Sequence, residues 1–237
     1  MSTAIKAVIF DVYSTLFLND LRSTLGTFAK ICSRQNLPVD AETLWKLWKP
    51  VEMEFRTNRT NLENQDDNPP FKSYETAWTE CFQQIYDGLG EGDASAATKI
   101  VIQDMGSRRP FAETFQALQA IQPRIRTAVL SNADDAYLLP LLQRHDLQFE
   151  AVLSSESVGA YKPHPRPFLK ILEKLSLAPA EAFYVGDHLF DDVLGASKVG
   201  MVTVWINRNG APQDPSLPTP DHTIKNLMEL LELINHR

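Results

Sequence analysis

The sequence predicts an α/β fold: a doubly wound parallel sheet, with a helical domain inserted after its first strand. Three observations carry this. Short apolar runs rich in β-branched and aromatic residues alternate with helical patterns through the second half of the chain. The first such run, Ala7-Val8-Ile9-Phe10, ends abruptly in Asp11, as when a buried strand delivers a carboxylate to the C-terminal edge of a sheet. From about Asn19 to about Ser107 no strand pattern occurs at all.

Taken in order, strands are expected over residues 4–10, 126–130, 150–153, 182–185 and 202–206, each short and apolar. Helices are expected between them, over 112–121, 136–145, 165–175, 191–199 and 225–234. Strand alternating with helix is the pattern of a Rossmann-like sheet covered on both faces, with right-handed crossovers. The intervening stretch shows helical spacing at Leu21, Leu25, Phe28, Ala29 and Cys32, again around Trp45, Trp48 and Phe55, and again at Tyr74, Trp78, Phe82 and Ile85. A polar loop is expected over 58–70, broken by Pro69-Pro70. The expected division is a core domain of residues 1–18 and 108–237, with a helical cap domain of residues 19–107. The run 210–220 holds four prolines and reads as a surface loop.

Composition excludes several function classes. An apolar fraction of 43% with 22% charged residues is that of an ordinary globular protein, and 237 residues suffice for a core plus an accessory domain. The formal net charge of -7, without any basic run, argues against nucleic acid as a partner, because phosphate neutralisation needs clustered Lys and Arg. No segment approaches membrane-spanning length, so no membrane partner is expected. Lys6 leads directly into the first strand rather than into a signal-peptide core, and Cys32 and Cys81 have no disulfide or zinc spacing. A cytoplasmic location is expected, and the oligomeric state is left open between monomer and homodimer.

Four segments at or after expected strand ends carry chemistry. They are Asp11-Val12-Tyr13-Ser14-Thr15, Ser131-Asn132, Lys162-Pro163 and Gly186-Asp187-His188-Leu189-Phe190-Asp191-Asp192. Open α/β sheets place ligands at that edge. A carboxylate held there by an ammonium group can act as a nucleophile. Ser131 and Asn132 can donate hydrogen bonds to an anionic substrate, or can cap the helix that follows. Three aspartates close together would repel one another unless a hard cation relieved them.

In this order, the four segments resemble the haloacid dehalogenase-like hydrolase superfamily. The resemblance covers the core domain, and the cap matches in position and helical character. It implies Asp11 as nucleophile, with Tyr13, Thr15, Ser131, Asn132 and Lys162 as the other catalytic residues. It implies Mg²⁺ as cofactor, held by Asp11, the Tyr13 backbone carbonyl and Asp187 and supported by Asp192. The substrate is expected to be a small anion.

Two activities compete. The acidic fourth segment resembles that of Mg²⁺-dependent phosphatases, but those enzymes place an aspartate acid–base where Tyr13 stands. The first segment, with Tyr13, resembles that of L-2-haloacid dehalogenases, which use no metal and whose halide leaves without a proton. Those enzymes carry a cap arginine after a tryptophan, where this chain has Trp45-Lys46 and Trp48-Lys49, with Arg56 and Arg59 nearby. On the acidic cluster, a phosphatase of a small phosphorylated metabolite is the favoured expectation. A 2-haloacid dehalogenase is the alternative, and a non-catalytic binding protein is a third reading.

Overall fold

The computed structural model describes residues 4–64 and 67–235. Contacts divide it into two compact units. One comprises the chain through Leu18, Arg109–Asn132, and Gln148 onward. The other comprises Asn19–Arg108 and Ala133–Leu147.

The first unit is built on a six-stranded parallel sheet: β1 (Ala7–Phe10), β2 (Arg126–Ser131), β3 (Ala151–Ser154), β4 (Ala182–Gly186), β5 (Val202–Ile206) and β6 (His222–Ile224), in the order β3-β2-β1-β4-β5-β6. This is the doubly wound order, with the chain reversing direction across the sheet beside β1. Phe10 aligns with Val129 on one side and Val185 on the other, so the residues after β1, β2 and β4 emerge together at one edge. β1 and β4 are buried along their whole length, which is why they read as unbroken apolar runs. Ala7, Ile9, Leu130, Phe168, Tyr184 and Met201 belong to one core cluster under a covering helix, Pro165–Leu175. That helix has the bounds expected from its spacing.

Two elements differ from expectation. An unexpected strand, β6, precedes the stretch expected as a helix over 225–234, which forms a helical turn at Leu227–Glu229 and then the helix Leu230–Asn235. A three-residue edge strand is too short to show a period. It is held by a side chain as much as by its ladder, since Asp221 Oδ2 accepts from Thr203 N (2.8 Å) and Thr203 Oγ1 (2.9 Å). Over 191–199 the chain makes a π-helical segment, Leu189–Leu194, and then one helical turn, Gly195–Lys198.

The second unit is helical: α1 (Leu21–Gln35), α2 (Ala41–Asn58), α3 (Tyr74–Leu89), α4 (Ala94–Met105) and α6 (Asp135–Arg144), with α5 (Thr114–Ile121) lying in the first unit. The first four begin at residues whose side chains accept from a backbone N–H in the first turn, namely Asp20, Asp40, Ser73 and Asp93. α6 groups with this unit. Asp134, just before it, accepts from Tyr74 N (2.9 Å) and Glu75 N (2.7 Å) and so satisfies the start of α3. Trp78 stacks on Tyr137 of α6 at 5.5 Å between ring centroids. Among the described residues, no helix is long and apolar enough to cross a membrane.

Candidate active site

Asp11 follows the last residue of β1, and its N–H donates to Val185 O at 2.9 Å. The loop after it turns sharply. Leu16 N and Phe17 N both donate to Val12 O, and Ser14 takes a left-handed conformation (φ 67°), which is unfavourable for a residue with a Cβ. The constraint aims the Asp11 carboxylate at the ends of β2 and β4.

Lys162 is the hub. Its side chain is 2% exposed. Its ammonium has three protons and three acceptors: Asp11 Oδ1 (2.8 Å), Asp192 Oδ1 (2.5 Å) and the Tyr184 hydroxyl (2.8 Å). The Tyr184 hydroxyl in turn donates a hydrogen bond to Leu130 O at 2.9 Å. Ser131, the last residue of β2, donates to Asp11 Oδ1 at 3.1 Å. Both side-chain donors to Asp11 therefore converge on Oδ1 rather than Oδ2.

The remaining expected residues divide. Asn132 bonds to the Lys162 backbone twice. Its Nδ2 donates to Lys162 O (3.1 Å) and its Oδ1 accepts from Lys162 N (2.8 Å), so it pins the backbone that carries the lysine. Neither Ser131 nor Asn132 caps α6, which starts after Asp134. The buried Thr15 hydroxyl lies on Asp187 Oδ1, at a long 3.5 Å, rather than on Asp11. Tyr13 is buried in the loop two residues after Asp11. His188 is turned to the start of the following helical segment, where its Nδ1 accepts from Asp191 N at 3.0 Å.

Three contributors lay outside the sequence reading. They are Tyr184, Trp205 (whose Nε1 donates to Asp187 O at 2.9 Å) and Arg208 (whose Nη2 donates to Thr15 O at 2.7 Å). No local pattern marks them, because each acts across strands. Gly186 has a packing reason. A Cβ there would fall 2.3 Å from the Asp192 carboxyl.

One ammonium faces three carboxyls, and the electrostatics follow. Burial pushes Asp11 up to about 6, against the pull of Lys162 and with a further push from Asp192. Burial, then repulsion from Asp11 and Asp192, holds Asp187 well above the usual carboxylate range. Burial pulls on Lys162 too, but Asp11 and Asp192 together outweigh it and raise it well above its ordinary value. Carboxylate oxygens of Asp11, Asp187 and Asp192 lie within 4.8 Å of one another, a donor set that fits a hard cation. Asp192 already accepts from Lys162 on Oδ1 and from His188 N (3.0 Å) on Oδ2, which makes it the lysine's anchor and leaves Asp11 and Asp187 as the better-placed ligands.

A family model described as haloacid dehalogenase-like hydrolase matches residues 5–200. The chain belongs to that family. Among these hydrolases, haloacetate dehalogenase H-2 of Moraxella sp. is 27% identical over 248 residues, covering 97% of this chain and 98% of the relative. (S)-2-haloacid dehalogenase 4A of Burkholderia cepacia is 26% identical, covering 99% and 96%. A glyceraldehyde 3-phosphate phosphatase of Methanopyrus kandleri is 41% identical, but over only 36% of this chain and 38% of its own. The fold is that of the HAD-hydrolase YfnB of Bacillus subtilis, at TM-score 0.79 and 18% identity over 98% of this chain and 100% of that one.

Proposed function

We propose that the protein hydrolyses the carbon–halogen bond of a small 2-haloacid through an ester on Asp11. The observation that carries this reading is the coincidence of Tyr13 with full-length relatives named as haloacid dehalogenases. It displaces the preference for a phosphatase drawn from the acidic segment, since relatives named as phosphatases match 36% to 51% of the chain, against 97% and 99% for the dehalogenases. A halide leaves without a proton, so a tyrosine can stand where a phosphatase needs an acid.

The geometry supplies the parts. Lys162 and Ser131 hold Asp11 Oδ1, and Oδ2 attacks C2 of the substrate while the carbon–halogen electron pair departs as halide. Water then attacks Cγ of the ester and the 2-hydroxy acid leaves, returning the Asp11 carboxylate. Asp187, whose carboxylate lies within 4.8 Å of that of Asp11, takes the water's proton when ionised. Lys162 offsets the negative charge of an anionic substrate.

A second reading, phosphate-ester hydrolysis, is favoured by the acidic cluster alone. There Asp11 and Asp187, with the Tyr13 backbone carbonyl, would hold Mg²⁺, which offsets charge on phosphoryl oxygens when bound.

The deciding experiment compares chloride release from L-2-chloropropionate in EDTA with phosphate release from an aryl phosphate in Mg²⁺, for wild type and Asp11→Asn. Metal-independent chloride release lost in the variant is expected. Mg²⁺-dependent phosphate release without chloride release would replace the first reading by the second. Undiminished activity in Asp11→Asn would remove the nucleophile from both.

A further inference from the structure

The end of β5 carries two side chains that reach main-chain carbonyls in the loops of Asp11 and Asp187. Trp205 is buried and stands on β5 beside Gly186 of β4. Its Nε1 donates to Asp187 O at 2.9 Å, one residue past the end of β4. Arg208 follows two residues after β5. Its Nη2 donates to Thr15 O at 2.7 Å, in the loop that follows Asp11.

Both gripping groups are themselves held. Trp205 aligns with Gly186 on one side and with Thr223 of β6 on the other. Arg208 Nη1 pairs with Glu113 at 2.6 Å, and its guanidinium lies 3.5 Å from the centre of the Phe111 ring. Asn207, just before it, donates its N–H to Ile224 O at 2.7 Å and so ties the strand end to β6.

The side-chain link between the two loops is weak by comparison. The Thr15 hydroxyl stands a long 3.5 Å from Asp187 Oδ1. Carboxylate oxygens of Asp11 and Asp187 lie within 4.8 Å of each other, and like charges at that range push apart. That force falls on the backbone of the two loops, and both carbonyls are gripped from one rigid strand end.

We propose that Trp205 and Arg208 are positioning residues that together set the spacing between the Asp11 loop and the Asp187 loop. Each acts through a main-chain carbonyl. The inference rests on the reaction proposed above, in which Asp187 takes the proton of the water that attacks the ester. Carbon–halogen cleavage uses Asp11, which Lys162 and Ser131 hold. Ester hydrolysis also needs Asp187 in place, so it is the step that the spacing governs. A misplacement of about 1 Å costs up to about 100-fold in rate, and loss of one of two grips is expected to cost about tenfold.

Single turnovers with the full chain in excess over L-2-chloropropionate read the two steps separately, by chloride released and by the Asp11 ester in the intact-protein mass. Trp205→Phe keeps an aromatic ring and removes the N–H donor. It is expected to slow loss of the ester about tenfold, with chloride release within about twofold of wild type. Arg208→Met is expected to do the same and covers the case in which Trp205→Phe does not fold. The double variant should be little slower than either single one, since two grips on one spacing are not independent. Wild-type ester decay in both single variants, equal slowing of both steps, or additive losses in the double variant each overturn the assignment. A wild type that releases no chloride refutes the haloacid reading instead. In that case kcat for an aryl phosphate in Mg²⁺ decides: a loss of about tenfold in each variant upholds the positioning role, and wild-type values overturn it.

Discussion

Replacing Lys162 by methionine, which keeps the length of the stem and removes the charge, reports on what holds Asp11. The change takes one ammonium from between two buried carboxyls and leaves the Tyr184 hydroxyl without its donor. Removing one partner of a buried ion pair costs about 3–5 kcal/mol. The lower end applies here, because Asp11 keeps Ser131, Asp192 keeps His188 N and Tyr184 keeps Leu130 O. At about 2–4 °C per kcal/mol for a chain of this length, a loss of about 3 kcal/mol lowers the melting temperature by about 6–12 °C at pH 8. The deficit must depend on pH, and the sign is determined. In the wild type the lysine is raised well above its ordinary value and stays charged throughout the range. Asp11, already at about 6, rises further once the ammonium is gone. A carboxyl raised in the folded state stabilises below its unfolded value and loses that contribution as pH climbs through the folded one. The variant therefore recovers as the carboxyls are protonated, and its deficit at pH 5 should be well under that at pH 8. Thermal unfolding followed by circular dichroism at the two pH values measures this. An equal deficit at both, or none at pH 8, would refute the account of Lys162 as counter-ion to Asp11 and Asp192.

Other expectations concern the same cluster. Gly186→Ala places a methyl group 2.3 Å from the Asp192 carboxyl and should cost about 1–3 kcal/mol in urea unfolding while lowering turnover, because Asp192 must leave Lys162; a neutral result would mean the β4 end relaxes freely. Arg208 donates to Thr15 O, pairs with Glu113 (2.6 Å) and lies 3.5 Å over the Phe111 ring. Arg208→Met should lower kcat about tenfold with little change in KM, and Arg208→Lys should restore part of it. With Asp11 pushed up to about 6 by burial, kcat/KM should fall tenfold per pH unit below about pH 6, and a profile flat to pH 4.5 would contradict that environment.

The sequence by itself determined the sheet, its edge and the order of the chemistry along the chain. Strands buried on both faces must be continuous apolar runs, so β1 and β4 announced themselves, and the residues just after them, Asp11 and Asp187, could only lie at the ligand-binding edge. The short edge strand β6 and the π-helical segment after His188 escaped, because three residues show no period and a π turn keeps helical composition. Only the tertiary structure decided which donors meet which acceptors. Asn132 ties down the Lys162 backbone, Thr15 lies on Asp187, and Asp192 anchors Lys162. Tyr184, Trp205 and Arg208 joined the site unannounced. A spacing along one chain fixes which edge a side chain reaches, whereas a hydrogen bond joins atoms a hundred residues apart whose separation is set by strand register and by the packing of the whole core.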